Sequence, residues 1–335
     1  MHDRPAALFA MNPENLPLLF PPPVLDRIVQ LVRIDTEMVV QDFTRPAAAV
    51  ALAEAEFLIT GWGCPRLDES VLDAAPRLRA VLHAAGSIRG LVTEACWERG
   101  LIVSSAVHAN ALPVAEYTLA VILLAGKDVF ALRERYQREP VYPPVLDLIN
   151  QGNNGRRIGI IGASRVGRRV LELLRPFDLR VSLHDPYVDE AEAAALGARL
   201  LPLDELLRTS QIVSLHAPEI PATYRMLDRE RLALIPDGAV LINTSRGSLI
   251  DPVALTEELI SGRIGAVLDV TEPEPLPGDS PLHHLSNVFL TPHIAGSVGN
   301  ELARLGGTVV AELEHLTAGR PPSHQVRRTD LTHVA

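Results

Sequence analysis

The sequence predicts an α/β protein of two domains, each built on a doubly wound parallel β-sheet. The chain has 335 residues, the length of roughly two domains, and its hydrophobic content of 47% is sufficient to bury two cores. Short β-rich runs alternate with helical stretches along most of the chain. Alternation at this spacing is typical of parallel sheets with helices on both faces.

The first series of elements occupies residues 6–105. Its β-rich runs are predicted to form strands: AALFAM, MVVQDF, EFLITGW, LRAVLHAAG and GLIVSSA. The stretches between them are predicted to form the connecting helices or turns: PPVLDRIVQLV, AAAVALAEA, DESVLDAAP and VTEACWERG. Residues 110–139 then show the apolar period of one long helix without a proline after Pro113. We expect this helix to leave the first domain and pack along the second.

A second series of strands begins at Arg157, after an irregular segment. Most of its runs are almost continuously apolar, as expected of strands buried on both faces: RIGIIG, RVSLHD, ARLL, QIVSLHA, AVLINTS, GAVLDV and NVFLTPH. Near the C-terminus, NELARLGGTVVAELEHL is predicted to form a helix that returns to the first domain. The last dozen residues are polar, and we expect them to be frayed.

Composition and charge narrow the classes of partner. The net charge of −10 argues against nucleic acid, because phosphate contacts need clustered lysine and arginine. No uninterrupted apolar run reaches the roughly 18 residues of a membrane span. The N-terminus has acidic residues and prolines where a signal peptide has a basic start and an apolar core. We therefore expect a cytoplasmic protein with neither a nucleic-acid nor a membrane partner.

The stretch RIGIIGASRVG, residues 157–167, is close to the glycine-rich turn that holds a dinucleotide, although Ser164 replaces the middle glycine. An apolar strand precedes the turn, and a stretch with helical spacing follows it. The free N–H groups and the dipole of a helix N-terminus favour a pyrophosphate there. The residues predicted to contact the cofactor are Gly162, Ser164, Arg165, Val166 and Gly167.

Asp185 ends the next strand, eighteen residues after Gly167. A carboxylate at this position accepts hydrogen bonds from ribose hydroxyls and repels a 2′-phosphate, so the predicted cofactor is NAD rather than NADP. The Cβ of Ser164 is expected to crowd the pyrophosphate, while its hydroxyl offsets this by donating to a phosphate oxygen. The alternative is a flavodoxin-like turn without a ligand.

Polar residues directly follow three later strand-like runs. Arg246 follows VLINTS, Asp269 and Glu274 follow GAVL, and His293 follows NVFLTP. In open α/β sheets, ligands bind beyond the carboxyl ends of the strands. A guanidinium grips a carboxylate through two parallel hydrogen bonds, and an imidazole oriented by a carboxylate passes a proton near neutral pH. These residues therefore predict an acid/base site for an anionic substrate beside the cofactor.

With these motifs the sequence resembles the D-isomer-specific 2-hydroxyacid dehydrogenase family over nearly the whole chain. The strongest blocks are VLINTSRGSLID (240–251), GAVLDVTEPEPLP (265–277) and VFLTPHIAGS (288–297), and NALPVAE (110–116) adds support. The resemblance implies a flavodoxin-like substrate domain, residues 1–109 and 298–335. A Rossmann NAD-binding domain, residues 110–297, is inserted in it.

The same resemblance implies roles for individual residues. Arg246 falls on the family's catalytic arginine and His293 on its acid/base histidine. Glu274, rather than Glu272, falls on the glutamate that supports this histidine. Asp269 matches the family's aspartate near the nicotinamide amide.

The resemblance also implies the residues that line the two binding sites. The cofactor is expected to contact a strand end, LHAP, and the end of the next strand: His216, Ala217, Pro218 and Thr244. The substrate carboxylate is expected to bind the backbone N–H groups of the loop AAGS, and further contacts are expected from nearby side chains: Ala85, Gly86, Ser87, His108 and Arg246.

Departures from the family pattern leave the substrate open. GSIRGLV and SAVHAN replace the usual family motifs and place Arg89 and His108 near the substrate. For His108, an acid/base role, a carboxylate contact and simple packing all remain open. For Arg89, the alternatives are binding of a second anionic group and an ordinary surface position. Neither His283 nor His284 has metal-ligand partners in the sequence, so no metal is predicted.

The activity implied is hydride transfer between NAD(H) and a small D-2-hydroxy acid or 2-keto acid, in a homodimer that pairs through residues 110–139. Two alternatives remain open. The first is an NAD-sensing, corepressor-like binding protein, since relatives with that role can retain the catalytic residues. The second is oxidation of formate or phosphite, of which phosphite is disfavoured because no lysine lies near the substrate loop.

Overall fold

The computed structural model describes residues 4–332 and contains two compact units. The first unit comprises the described residues up to Asn110 together with Ser297–Thr332, and the second comprises Ala111–Gly296. The outermost residues of the predicted substrate domain, 1–3 and 333–335, lie outside the described residues.

The strands of the described residues are, in chain order, β1 (Ala7–Ala10), β2 (Val39–Val40), β3 (Phe57–Thr60), β4 (Ala80–His83), β5 (Ile102–Ser105), β6 (Arg156–Ile161), β7 (Leu179–His184), β8 (Arg199–Leu200), β9 (Ile212–Leu215), β10 (Val240–Asn243), β11 (Gly265–Leu268), β12 (Val288–Leu290) and β13 (Gln325–Val326). The α-helices are α1 (Leu16–Leu19), α2 (Pro22–Leu31), α3 (Pro46–Glu54), α4 (Glu69–Asp73), α5 (Glu94–Glu98), α6 (Val107–Ala125), α7 (Val129–Arg138), α8 (Arg165–Leu174), α9 (Glu190–Ala195), α10 (Leu203–Thr209), α11 (Arg229–Leu234), α12 (Pro252–Ile260) and α13 (Leu302–Thr317).

The sheet of the first unit has the strand order β13-β5-β4-β3-β1-β2. Strands β1 to β5 are parallel, and their order 2-1-3-4-5 is that of flavodoxin-like sheets. Successive residues of β1 face opposite cores. Phe9 packs with residues of α2 and α13, and Leu8 packs with residues of α3, α4 and α5. This alternation buries both faces of the sheet, as a parallel sheet requires.

The sheet of the second unit is parallel throughout and has the order β12-β11-β10-β9-β6-β7-β8. Counted from β6, this is 3-2-1-4-5-6-7, which extends the Rossmann order by one strand. Ile160 packs with residues of α6 and α8 on one face, and Ile161 packs with residues of α10 and α12 on the other. The prediction of two parallel-sheet α/β domains is confirmed. The chain reverses direction across the sheet between β6 and β9, which is where such sheets bind ligands.

The prediction of one helix over residues 110–139 is wrong. Two helices, α6 and α7, lie there, and Asp128 between them is left-handed with φ 54°. The Asn153 amide donates to the Leu123 carbonyl at 3.0 Å, and the Gly152 N–H donates to the Gly126 carbonyl at 2.6 Å. These remote donors satisfy carbonyls at the end of α6, so the helix stops there despite its apolar period.

The expectation of frayed residues at the end of the chain is also wrong for the part that the structure describes. Strand β13 pairs antiparallel with β5, with Gln325 opposite Ser104 and Val326 opposite Val103. The buried carboxylate of Glu312 on α13 accepts hydrogen bonds from the backbone N–H groups of the two residues before this strand. A polar segment is therefore ordered by partners far away in the sequence.

Helix α6 is long and apolar enough to cross a membrane by length and composition alone. Its apolar run is interrupted by Glu116, so the sequence shows no uninterrupted span there. Ala115, Val121 and Ile122 of this helix are buried in a core with residues of β6. Core helices pass the same test of length and composition, so the finding by itself assigns no membrane partner.

Candidate active site

The turn between β6 and α8 depends on two glycines. Gly162 has φ 97°, and a Cβ added there would lie 2.6 Å from the backbone nitrogen of Ala217. A Cβ on Gly167 would overlap the carbonyl oxygen of Gly162. Any larger residue would therefore push α8 away from the turn and from the end of β9. The result is a short strand–turn–helix connection whose helix N-terminus adjoins the switch point of the sheet.

Ser164 is the N-cap of α8. Its Oγ accepts a hydrogen bond from the N–H of Gly167 at 3.3 Å. The serine that breaks the glycine pattern thus satisfies one of the unpaired N–H groups of the helix start. Because the oxygen acts as acceptor, the hydroxyl proton remains available to another acceptor. Arg165 and Val166 follow as the first, half-buried residues of the helix.

We expect Ser164→Gly to bind NADH as tightly as the wild type or more tightly. The change removes the Cβ that is expected to crowd a bound pyrophosphate, and glycine at an N-cap costs only about a few tenths of a kcal/mol. Ser164→Ala is the matched variant, because it keeps the Cβ and loses the cap at a cost of about 0.5–2 kcal/mol. A fluorescence titration with NADH compares them. Loss of binding in Ser164→Gly would contradict this description of the turn.

Asp185 ties the turn to the end of β7. Its Oδ2 accepts the N–H of Ala163 at 2.7 Å, and its Oδ1 accepts the N–H of Tyr187 at 2.8 Å. A carboxylate oxygen has a second lone pair, so both oxygens retain acceptor capacity for a ligand. The structure thus places the predicted ribose contact directly beside the predicted phosphate turn.

The end of β9 contributes a buried histidine. His216 Nε2 lies 2.9 Å from Ser214 Oγ, and its backbone N–H donates to the Ile161 carbonyl at 2.7 Å. Burial lowers the pKa of His216 to about 3, so the ring is neutral at physiological pH. His216 therefore joins β9 to β6 next to the glycine turn, where it packs as an uncharged group. Ala217 is buried and Pro218 half-buried after it.

The turn after β10 is organised by a buried asparagine that sequence reasoning missed. Asn243 Oδ1 accepts the N–H of Ser245 at 3.0 Å, and its Nδ2 donates to the Arg246 carbonyl at 2.8 Å. Ser245 Oγ also donates to the Leu215 carbonyl at 2.7 Å. Thr244 is buried against Thr118, with their hydroxyls 3.1 Å apart. These bonds hold the backbone that carries Arg246.

Arg246 itself has an acidic neighbour that the sequence did not identify. Its Nη1 donates to the Ser245 carbonyl at 2.6 Å, and its Nε lies 3.8 Å from Glu219 Oε2. Ser248 Oγ donates to the other oxygen of Glu219. A guanidinium has five N–H donors, so these contacts leave donors for a ligand. A carboxylate directly after LHAP was the available signal for Glu219.

His293 and Glu274 form a direct pair. His293 Nδ1 lies 2.5 Å from Glu274 Oε1, and both side chains are nearly half exposed. Glu272, the alternative considered from the sequence, has a buried Oε2 without a hydrogen-bond partner among the described residues. The structure thus brings Glu274, and not Glu272, to the histidine. His293 has φ 54°, a left-handed conformation that is strained for a residue with a side chain.

Asp269 holds the turn on which His293 lies. Its Oδ1 accepts the Thr291 hydroxyl at 2.6 Å and the Ile294 N–H at 2.8 Å, and its Oδ2 accepts the Ala295 N–H at 2.9 Å. Its backbone carbonyl accepts the N–H of His293 at 3.0 Å. Asp269 is 2% exposed, so these donors compensate its buried charge. They also support the left-handed backbone at the histidine.

A cavity of about 590 Å³ opens beside this turn. His293, Glu274 and Asp269 line it together with apolar side chains such as Leu276 and Leu290. Arg246 is not among the residues that line it. Among the described residues, Arg246 also forms no hydrogen bond or ion pair with Glu274 or His293. No cluster of three or more His, Cys, Asp or Glu side chains within residues 4–332 is arranged to hold a metal ion.

The predicted substrate loop lies in the first unit, directly after β4. Ala85 is buried, and Gly86 and Ser87 are half-buried. The N–H of Ala106 donates to the carbonyls of His83 and Ala85, both at 3.0 Å, and so joins the loop to the start of α6. Arg89 is exposed at the end of the same loop.

His108 lies on the first turn of α6 and contacts a second histidine. Its ring centroid is 4.5 Å from that of His324, with the rings tilted by 41°. Glu312 fixes His324 by accepting its backbone N–H at 3.0 Å. Sequence reasoning missed His324 because the C-terminal residues lack a hydrophobic period. The contact between His108 and His324 depends on the position of β13, and no local sequence pattern predicts that strand.

Comparison with known proteins identifies a family model that fits the second unit. Residues 119–295 match the description "D-isomer specific 2-hydroxyacid dehydrogenase, NAD binding domain". The matched range contains the glycine turn, Arg246 and the His293–Glu274 pair, and it covers more than half of the chain.

The chain is also similar to whole proteins. It is 33% identical over 280 residues to the D-3-phosphoglycerate dehydrogenase of Mycobacterium bovis, with 82% of this chain and 52% of that protein covered. It is 33% identical over 267 residues to the glyoxylate reductase of Korarchaeum cryptofilum, with 78% and 80% covered. The solved TT0316 protein of Thermus thermophilus is 31% identical with a TM-score of 0.77, and the match covers 96% and 100%. The chain thus spans about half the length of the phosphoglycerate dehydrogenase that it matches.

Proposed function

The chain belongs to the D-isomer-specific 2-hydroxyacid dehydrogenase family, and on this premise we propose that it transfers a hydride between NAD(H) and a small D-2-hydroxy acid or its 2-keto acid. The observation that carries the proposal is the pair of His293 and Glu274, 2.5 Å apart at a cavity beside the carboxyl ends of β11 and β12. An imidazole oriented by a carboxylate is the acid/base group that interconversion of an alcohol and a ketone needs.

The residues of the glycine turn fit a dinucleotide. Gly162 and Gly167 leave no room for a Cβ, and the N-terminus of α8 directs its N–H groups at the adjoining space. Asp185 supplies a carboxylate for a ribose and supports NAD over NADP. Bound NADH would supply the hydride. We propose residues 110–297 as the NAD-binding domain, with His216, Ala217, Pro218 and Thr244 as further contacts.

The contact with Glu274 determines which nitrogen of His293 serves the substrate. An ionised carboxylate only accepts hydrogen bonds, so Nδ1 of His293 carries a proton directed at Glu274. The exchangeable proton then resides on Nε2, as in the histidine of a catalytic triad. In the reductive direction, Nε2 donates this proton to the oxygen of the keto group.

Arg246 binds the anionic part of the substrate and steadies charge on the reacting oxygen. Asn243 holds its backbone, and Glu219 lies close to its Nε without occupying the whole guanidinium. We further propose residues 1–109 and 298–335 as the substrate domain. In that domain, the backbone N–H groups of the loop Ala85–Ser87 bind the substrate carboxylate, and His108 lies nearby.

A screen of 2-keto acids tests the activity. Purified protein with NADH is offered glyoxylate, hydroxypyruvate and pyruvate, and loss of NADH absorbance is followed. We expect turnover with at least one of them, because the proposed site recognises the shared 2-keto carboxylate. NADH binding without any turnover would favour the corepressor-like alternative. NAD reduction with formate or phosphite alone would favour oxidation of another small anion.

We also propose that the protein is a homodimer that pairs through residues 110–139, and that residues 141–149 extend the interface. In residues 141–149, five apolar side chains are more than 60% exposed in the single chain: Val141, Tyr142, Val145, Leu146 and Ile149. Large exposed apolar side chains concentrated in one short segment support a protein–protein interface there. The cytoplasmic location, and the absence of nucleic-acid and membrane partners, remain predictions from the sequence.

Replacing Leu146 and Ile149 by Asp is expected to convert the dimer to a monomer, because burying two unpaired carboxylates in an interface is strongly unfavourable. Light scattering after gel filtration measures the mass. Val50→Asp is the matched control, since Val50 on α3 is 72% exposed and lies outside this segment. A dimer that survives the double change, or a wild type that is monomeric, would contradict the proposed interface.

A further inference from the structure

The loop proposed to bind the substrate carboxylate rests on two buried polar residues with no assigned role. Thr60 ends β3 and His83 ends β4, and the two are register partners in the sheet. Thr60 is 0% exposed and His83 is 6% exposed, so neither contacts the solvent freely. The loop Ala84–Ser87 begins directly after His83, and the N–H of Ala84 donates to the Thr60 carbonyl at 2.7 Å.

His83 has polar neighbours on two sides. Nδ1 lies 2.9 Å from Thr60 Oγ1, and the ring faces the backbone of Ser87, a contact that acts on its pKa. Burial lowers the pKa of His83 to about 4, so the ring is neutral and carries one proton. The contact with Ser87 raises the pKa instead. A ring N–H directed at a carbonyl oxygen has this effect.

This fixes the direction of the hydrogen bonds. A carbonyl only accepts, so the nitrogen that faces Ser87 is Nε2 and bears the proton. Nδ1 is then an acceptor, and the Thr60 hydroxyl must donate to it. The inferred series of hydrogen bonds runs from the Thr60 hydroxyl to Nδ1 of His83, and from Nε2 of His83 to the Ser87 carbonyl.

Holding the Ser87 carbonyl orients the peptide groups of the loop. In a trans peptide the C=O and the following N–H point in opposite directions, so the N–H of Ile88 is turned away from His83. Ser87 Oγ accepts the N–H of Arg89 at 3.3 Å, which tightens the same turn. Within residues 4–332, no protein acceptor takes a hydrogen bond from the backbone N–H groups of Gly86, Ser87 or Ile88. These N–H groups are therefore donors that remain available to an anion.

We propose that His83 and Thr60 are positioning residues that orient the N–H groups of the loop Ala85–Ser87, together with that of Ile88 directly after it, toward the carboxylate of a 2-keto acid. This inference rests on the proposed function of the loop. Neither side chain reaches the substrate. They determine how well the loop fits a carboxylate, and therefore substrate affinity more than the rate of the chemical step.

Two pairs of variants test this on the full-length protein loaded with NADH. Thr60→Val removes the donor at constant shape, and Thr60→Ser keeps it. His83→Leu removes both ring contacts, and His83→Gln retains an amide N–H and a carbonyl oxygen in similar places. The readout is the Kd of oxamate, an unreactive 2-keto acid analogue, from quenching of NADH fluorescence. The Kd of NADH and the Tm are measured alongside.

We expect Thr60→Val and His83→Leu to raise the Kd of oxamate by about tenfold or more, since small misplacements of binding groups cost up to about 10²-fold. Thr60→Ser and His83→Gln should recover most of the affinity, and the Kd of NADH should not change in any variant. With a keto acid that is turned over, KM should rise while kcat changes little.

An oxamate Kd that is unchanged in Thr60→Val overturns the proposal, as does a serine variant no better than the valine one. A wild type that binds NADH but no oxamate overturns it too, because the loop is then no carboxylate site. A wild type that binds oxamate but reduces no keto acid refutes the proposed function instead, and the comparison of the four variants still decides the role of His83.

Discussion

His293→Ala is expected to lower turnover of the 2-keto acid by roughly 10²–10⁴-fold, the range for loss of a general acid/base. The variant removes the proton donor and leaves the glycine turn and Asp185 intact, so the Kd of NADH should stay near that of the wild type. Steady-state kinetics with the best substrate of the screen, combined with an NADH titration, measures both quantities.

Two further variants make this prediction specific. Glu274→Gln keeps the shape of the partner but removes its charge, so kcat should fall while His293 remains in place. His284→Ala changes an exposed histidine at the end of a short 3-10 helix outside the site and should leave kinetics unchanged. Wild-type turnover in His293→Ala would refute the acid/base assignment.

Arg246→Gln is expected to lower kcat/KM by roughly 10²–10³-fold, the loss measured when one preorganised donor to a developing negative charge is removed. The glutamine cannot grip a carboxylate through two charged N–H groups. Arg246→Lys should recover only part of the loss, because an ammonium lacks the planar fork of the guanidinium. Kinetics over a range of keto acid concentrations separates the effects on KM and kcat.

The position of Glu219 also predicts which small ions can restore activity to a variant that lacks Arg246. Loss of Arg246 leaves a carboxylate without its nearest cation, so added acetate or formate should not restore activity, whereas guanidinium should restore part of it. Arg229→Gln is the control, since Arg229 forms an exposed ion pair with Glu257 outside the site. Equal losses in Arg229→Gln and Arg246→Gln would show that the effect comes from general charge and not from the site.

The sheets and the glycine turn could be predicted from the sequence because their sequence patterns span only a few residues. A strand buried on both faces is apolar over most of its length, and β6, β9 and β10 contain runs of this kind. A strand–turn–helix connection that leaves no room for a Cβ needs glycine, and Gly162 and Gly167 stand at the required spacing. The resemblance to the dehydrogenase family is confirmed, and it rests on such short blocks.

Two features could not be predicted from the sequence: the break between α6 and α7, and the pairing of β13. The first depends on Asn153, which bonds a carbonyl thirty residues earlier, and the second on Glu312, which holds a polar segment with no period. Local propensity contains no information on partners at such distances. The same holds for Asn243, whose amide shapes the turn of Arg246 only because the strand end buries it.

The sequence by itself determined the architecture of parallel sheets, the family, and the types of residue that follow each strand, since apolar periodicity and glycine spacing act over a few residues. The tertiary structure decided which of these residues meet: Glu274 with His293, Glu219 with Arg246, and His83 with Thr60 and Ser87. The physical reason is that a hydrogen bond needs its two atoms within about 3 Å and in line. Only the packing of separate strands and loops brings them there.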